Sequence, residues 1–95
     1  MKISELSINS YASISGKVIS KSPIREIVTK FGKRTGFAEI IIEDDSGKIR
    51  VPLFGENAFK IDIGYTVDIE NAYITTFNGM LNASINKDTK IRYRR

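Results

Sequence analysis

Cysteine, histidine, tryptophan and glutamine do not occur anywhere in this 95-residue sequence. Without cysteine there is no disulfide and no thiol nucleophile, and without either cysteine or histidine there is no ordinary zinc or iron site. The lack of histidine also removes the side chain best suited to act as a general base near neutral pH. Asp44-Asp45 does not have the ligand spacing of a calcium loop. These absences argue against an enzyme, and neither a metal nor a cofactor is expected. Long hydrophobic runs are missing too. The longest aliphatic run is Ile40-Ile41-Ile42, far short of the roughly 20 residues that cross a bilayer. The N-terminus lacks the charged-then-apolar order of a signal peptide, so a cytoplasmic chain is expected.

What is present is ordinary for a folded chain: 41% hydrophobic and 27% charged residues, enough apolar surface to oppose disorder. The length suits one domain over residues 1–95, with a single core. The formal net charge is +4, which is compatible with a polyanionic partner but does not by itself identify one.

Residues 2–7 place Ile3 and Leu6 one helical turn apart, as a short lead-in that packs on the domain. From Tyr11 the period becomes two: Ala12, Ile14, Gly16 and Val18 alternate with polar residues, which predicts a half-buried strand. Ser22-Pro23 interrupts it, because proline has no N–H for a ladder. Strand-like sequence resumes over residues 24–29, giving one long, bent first strand. A loop with Lys30, Lys33 and Arg34 follows, then a second strand over 37–43, a turn at 44–47 and a third strand over 48–54. Residues 55–64 hold the one internal helix, of one or two turns around Ala58, Phe59 and Ile61. A fourth strand spans 65–75, Asn78-Gly79 is a strong hairpin turn, and a fifth strand spans 80–85. Residues 87–95 trail off with five cations. Five short strands around one core predict an all-β closed barrel, since closure removes exposed edges. This is the five-stranded Greek-key barrel called the OB-fold, with its short helix between strands three and four.

Strand faces then sort the candidate site. In the third strand Ile49, Val51 and Leu53 point inward, leaving Arg50, Pro52 and Phe54 outside. A cation beside a ring is what binds single-stranded nucleic acid, since arginine meets phosphate and a ring stacks on any base. An outward Phe54 equally fits packing under a loop or against the small helix. With Val28 inward, Arg25, Ile27 and Thr29 face the same side, where Lys30, Lys33 and Arg34 add charge or simply form a solvated hairpin tip. In the second strand Ala38, Ile40 and Ile42 suit the core, so Phe37, Glu39 and Ile41 look outward. Glu39 is unfavourable beside a phosphate, and it has the option of orienting Arg25 or Arg50. Pro52 is tolerated where the third strand only partly pairs with the fifth.

The fourth strand breaks its own alternation. Val67 and Ile69 share parity with Tyr73, which in a regular strand buries the tyrosine. A bulge near Glu70-Asn71 reverses the parity, buries Ala72 and Ile74, and turns Tyr73 outward. Both arrangements stand at this point, and the polar Asn71 favours the bulge.

The ordered runs DDSGKIRVPLFGENA, GYTVDIENAYITTFNG and MLNASINKDTKI resemble the single-stranded-DNA-binding OB domains of archaeal replication protein A and archaeal single-strand binding proteins. The resemblance extends over about residues 3–91. It implies base stacking on Phe54, Tyr73 and Phe77, with Arg25 and Ile27 lining the same groove and Lys30 and Lys33 in its first loop. Phe54 stands where the family usually has tryptophan, and Ser46 where it usually has threonine. The implied partner is single-stranded DNA in replication, recombination or repair, and the basic side chains Arg25, Lys33, Arg34 and Arg50 are expected to meet its backbone. Some relatives carry further OB domains, so this chain is either a small protein or one domain of a longer one, and other OB subunits or replication proteins are further expected partners. RNA binding on the same face, or a protein-interaction OB module, are the alternatives.

Overall fold

The computed structural model describes residues 2–95. A single turn of 3-10 helix, Ile3–Glu5, leads into β1 (Ser10–Lys21) and β2 (Arg25–Val28), then β3 (Arg34–Glu43) and β4 (Lys48–Phe54). The helix α1 (Glu56–Lys60) follows, and β5 (Thr66–Phe77), β6 (Met80–Ser84) and β7 (Lys90–Arg94) complete the chain. The strands run β1-β3-β4-β6-β5, and β5 pairs back onto β1, closing a five-stranded barrel of the OB type. β2 extends from β3 and β7 from β5, outside that closed circuit.

Closure is made possible by one strand changing partners. Lys17 pairs with Thr66 of β5 and also with Glu43 of β3. At the neighbouring Gly16 a Cβ atom would stand 2.8 Å from the Glu43 carbonyl oxygen, so the strand crossing is tight enough to require glycine. The opposite seam is weak: β4 meets β6 in a parallel pairing only at Arg50 and Asn82. Pro52 sits in β4 next to this gap, where a missing N–H costs the sheet little.

The period-two pattern delivers the core. Ala38, Ile40 and Ile42 of β3 and Ile49, Val51 and Leu53 of β4 are fully buried. Val67 and Ile69 of β5 join them, as do Ala72 and Ile74 beyond an irregularity. Each of these Ile, Val and Leu side chains contributes about 1.5–3 kcal/mol when fully withdrawn from water. Ile3 closes one side of the core, and Ala58 and Ile61 of the helical segment close another. The lead-in is held by the 44–47 turn: the Ile3 N–H donates to Asp44 Oδ2 at 2.8 Å, while the Ser46 hydroxyl and N–H donate to Asp44 Oδ1 at 2.6 and 2.7 Å. With the Gly47 N–H also donating at 3.0 Å, these bonds lower the Asp44 carboxyl from 3.8 to about 2.

Four expectations need correction. The first strand is two strands, because Ser22 leaves the ladder and clasps β3 instead: its hydroxyl accepts the Glu39 N–H at 2.8 Å and its own N–H donates to the Glu39 carbonyl. Val28 is not inward but 64% exposed, since the β2–β3 hairpin projects past the barrel and has no core beneath it. The fourth strand runs two residues beyond the expected 75, so that Phe77 lies at the end of β5. The cation-rich tail forms β7, pairing Arg94 with Thr66 through to Lys90 with Glu70. Its alternate residue Ile91 packs on the core, which outweighs the solvation of the cations around it.

Candidate nucleic-acid interface

The outer faces of β3, β4, β6 and the second half of β5 form one continuous surface. On β3 and β4, Phe37 pairs with Phe54, Glu39 with Pro52 and Ile41 with Arg50. On β5 and β6, Thr75 pairs with Asn82 and Phe77 with Met80. Phe54 and Phe77 are each 46% exposed, so neither ring is spent on the core. Phe54 rests against Phe37, with ring centroids 5.0 Å apart at 54°. That contact steadies the ring while leaving area open for a base.

Arg50 lies between the two halves of this face with only 12% of its side chain exposed. Its Nε donates to Glu39 Oε2 at 3.1 Å, Nη2 lies 2.9 Å from Glu39 Oε1, and Nη1 donates to Asn82 Oδ1 at 2.6 Å. The guanidinium carbon stands 4.1 Å from the Phe77 ring centroid. Two-point pairing fixes the plane of the guanidinium, and the plane in turn supports Phe77. Glu39 also pairs with Arg25 at 3.6 Å. The hydrogen bonds from Arg50 hold the Glu39 carboxyl below its usual range, its partial burial opposes them, and the charges of Arg50 and Arg25 add to the lowering. Glu39 thus anchors both arginines, the orienting option open to it in the sequence.

Tyr73 faces outward through the expected bulge. β1 pairs Ala12 with Ala72 but Ile14 with Ile69, so β5 carries one extra residue between them. Asn71 accommodates it with φ of 62°, in the left-handed region that asparagine enters more readily than most residues. Ala72 and Ile74 are buried on either side. Tyr73 then stands beside Tyr11, centroids 5.0 Å apart, and its hydroxyl donates to Asn9 Oδ1 at 3.4 Å. At the other end of β5, Asn78 and Gly79 both have positive φ, 50° and 79°, as a two-residue turn matched to strand twist requires.

The β2–β3 hairpin divides the remaining candidates. Arg25 pairs with Phe37 and Ile27 with Thr35, on the side of the rings, and Arg25 lies 5.2 Å over Phe37. Lys30 and Lys33 lie at the exposed tip, Lys30 above the Phe31 ring at 5.4 Å. Arg34 pairs with Val28 and shares the other side of the ribbon, where it meets Glu26 at 3.3 Å. An open hollow of about 320 Å³ lies between the hairpin and the barrel, lined by Ser22, Pro23, Arg25 and Glu39. Among the described residues no cluster of three metal-ligating side chains occurs.

Two residues of this face were absent from the sequence-derived set. Asn82 is a buried polar side chain that accepts from Arg50 and donates to the Thr75 and Ser84 hydroxyls at 3.3 and 3.2 Å. Its place was readable from alternation, because Leu81, Ala83 and Ile85 have the other parity. Tyr11 had no such signal, since its contact with Tyr73 depends on register across the bulge.

A closed five-stranded barrel with rings and cations across one outer sheet face defines the OB-fold class of binding domain. Within that class, the likeness of this chain is to the OB domains of archaeal single-stranded DNA-binding proteins and replication protein A. It is 39% identical over 75 residues to the single-stranded DNA binding protein Ssb of Saccharolobus solfataricus, an alignment covering 79% of this chain and 50% of that protein. The chain therefore spans about half the length of that relative. Among solved structures, the replication factor A related protein from Methanobacterium thermoautotrophicum superposes with a TM-score of 0.80 at 26% identity, covering 99% of this chain and 89% of the other. The second OB-fold domain of replication protein A from Methanococcus maripaludis gives 0.73 at 28% identity, covering 96% and 92%. No protein-family profile matches the chain. No helix among the described residues is long and apolar enough to cross a membrane.

Proposed function

We propose that this chain is a non-enzymatic, sequence-tolerant binding domain for single-stranded DNA, acting in replication, recombination or repair. The observation that carries this reading is the pair of half-exposed rings, Phe54 and Phe77, on one face across the fixed Arg50. The likeness to a protein named for single-stranded DNA binding supports it. Phe54 and Phe77 stack on bases, each worth roughly 1–3 kcal/mol, and Tyr73 takes a third base at the rim. Arg25, Lys30 and Lys33 meet the phosphates along the hairpin, with Ile27 as apolar wall. Arg50 acts chiefly by orienting Phe77, because its charge is already met by Glu39. Arg34 faces away with Glu26 and lies outside the direct contacts.

One domain of this size covers about 4–6 nucleotides, near the low end for an OB fold. Tight binding then comes from neighbouring OB domains or subunits through effective concentration. A cytoplasmic location accords with this role. The test is a salt-dependent titration of matched DNA, RNA and duplex oligonucleotides. Preferential binding of single strands, with log affinity falling by about 0.7 per contacted phosphate for each unit of log salt, is the expected result. Binding that ignores salt, or that favours duplex, sinks the reading. Equal affinity for RNA widens the ligand class to single strands generally.

A further inference from the structure

A second cleft, of about 530 Å³, lies at the α1 end of the barrel and shares no residue with the ring face. Phe59, Tyr65 and Tyr93 form its apolar wall, and Lys60, Arg94 and Arg95 supply its charge. Among the described residues no Asp or Glu side chain lines it. Phe59 leans on the base of the β2–β3 hairpin, where a Cβ on Gly36 would stand 2.6 Å from its ring, yet 63% of the residue is exposed. Ile63 next to this segment is 57% exposed. Large apolar side chains left open beside cations call for an occupant.

We infer that this cleft binds an acidic, extended segment of a partner protein, with an apolar side chain of that segment seated among Phe59, Tyr65 and Tyr93. Three observations select this occupant. First, the only charged side chains among the described residues of the lining are cationic, and the carboxylates facing them, Glu56 on Lys60 at 3.7 Å and Asp68 on Arg94 at 3.2 Å, are exposed pairs that exchange readily. Second, β7 pairs with β5 along one edge, and among the described residues no strand takes the other. Its unpaired N–H and C=O groups accept an added strand. A second copy of the chain is a poor candidate: antiparallel pairing about Arg92 sets arginine on arginine and Lys90 opposite Arg94, and like charges directly opposite repel. Third, the rings are arranged for packing and not for bases. Tyr65 and Tyr93 stack on each other, 6.2 Å apart at 24°, and Arg95 lies 5.9 Å over Tyr65. Tyr65 already has Tyr93 and Arg95 against it, so a nucleotide is offered little of that ring, whereas a Leu or Phe side chain fits beside the stack. The inference does not rest on DNA binding by the ring face, and partner and DNA are held at the same time.

The test is an amide-resolved NMR titration of the whole chain with a synthetic peptide of Asp and Glu carrying one central Phe. The same peptide with Asn and Gln throughout is the control. Shifts confined to residues 59–65 and 90–95 are expected. Lys60→Glu combined with Arg94→Glu weakens the acidic peptide by at least about tenfold, as loss of complementary charge does, and leaves the salt slope of oligo-dT binding unchanged, since no phosphate contact is lost. Tyr93→Ala, checked for an intact fold by its melting curve, weakens the peptide without touching oligo-dT. Equal binding of the uncharged peptide overturns the inference, as does the absence of binding at millimolar peptide. So do shifts centred on Phe54 and Arg25, which place the peptide in the ring groove. A reduced salt slope for oligo-dT in the charge-reversed variant also overturns it, by making the cleft a continuation of the nucleic-acid path.

Discussion

The guanidinium of Arg50 stands 4.1 Å from the ring centroid of Phe77 while both oxygens of Glu39 hold its Nε and Nη2 edge. The arginine is thereby a support for the ring. Arg50→Met keeps much of the stem but removes the charge and the contact with the ring. Oligo-dT affinity is expected to fall by about 1–2 kcal/mol, the size of a partly desolvated cation–π contact. The slope of log affinity against log salt stays where it was. A slope reduced by about 0.7, the signature of one lost phosphate contact, would show that Arg50 binds the backbone directly.

The same variant leaves Glu39 without its main partner. A stability loss of about 1–2 kcal/mol follows from an under-satisfied, partly buried carboxylate, and adding Glu39→Gln to Arg50→Met recovers part of it. Denaturant melts of the single and double variants measure this. A double variant less stable than Arg50→Met alone shows that Glu39 stabilises the barrel independently of the pair.

Phe54→Ala combined with Phe77→Ala removes two stacking platforms, together roughly 2–6 kcal/mol of binding at the usual value per base. Both side chains are about half exposed, so the melting temperature is expected to stay within a few degrees of the parent. Fluorescence titration with oligo-dT and a thermal melt give the two readouts. Undiminished affinity removes the rings from the interface, and a collapsed melt makes them core residues.

Much of this face was readable because period two is strict where a strand covers a core. Ile49, Val51 and Leu53 leave Arg50 and Phe54 no alternative but the outside. The same reasoning failed at Val28, because alternation tells which side a residue takes and not whether a barrel lies beneath that side. Arg34 escaped for a related reason: its placement behind the ribbon depends on the register of the hairpin, which its Lys-Arg-rich sequence does not specify. β7 was hidden by its cations, with Ile91 alone marking a buried position. The role of Arg50 depends on three strands meeting, since Glu39 comes from β3 and Asn82 from β6. No local window of sequence contains that triangle.

Asn71 sets which way Tyr73 points. Its φ of 62° costs a β-branched residue far more than asparagine or glycine. Asn71→Val is expected to destabilise by about 1–2 kcal/mol, lowering the melting temperature by roughly 4–8 °C per kcal/mol for a domain of this length. Asn71→Gly should be close to neutral. If Asn71→Val melts like the parent, the bulge is not held by this residue. Quenching of Tyr73 emission by oligo-dT, read as the difference between the parent and Tyr73→Phe, then reports whether the ring still lies in the groove.

Asp44 links acid to the loss of the N-terminal lead-in. Its carboxyl is lowered from 3.8 to about 2, chiefly by the Ser46 hydroxyl and then by the Ile3 N–H. A group whose folded value lies below its unfolded one binds fewer protons in the folded state, so it stabilises the fold at higher pH. That contribution is complete above about pH 4 and is lost as pH falls through about 2. Asp44→Asn keeps an acceptor near Ser46 but removes the charge. It should melt below the parent at neutral pH, with the two melting temperatures converging as pH approaches 2. A gap in melting temperature that stays constant from pH 7 to pH 2 would mean that the turn is held by its shape alone, with no part played by the ionised carboxylate.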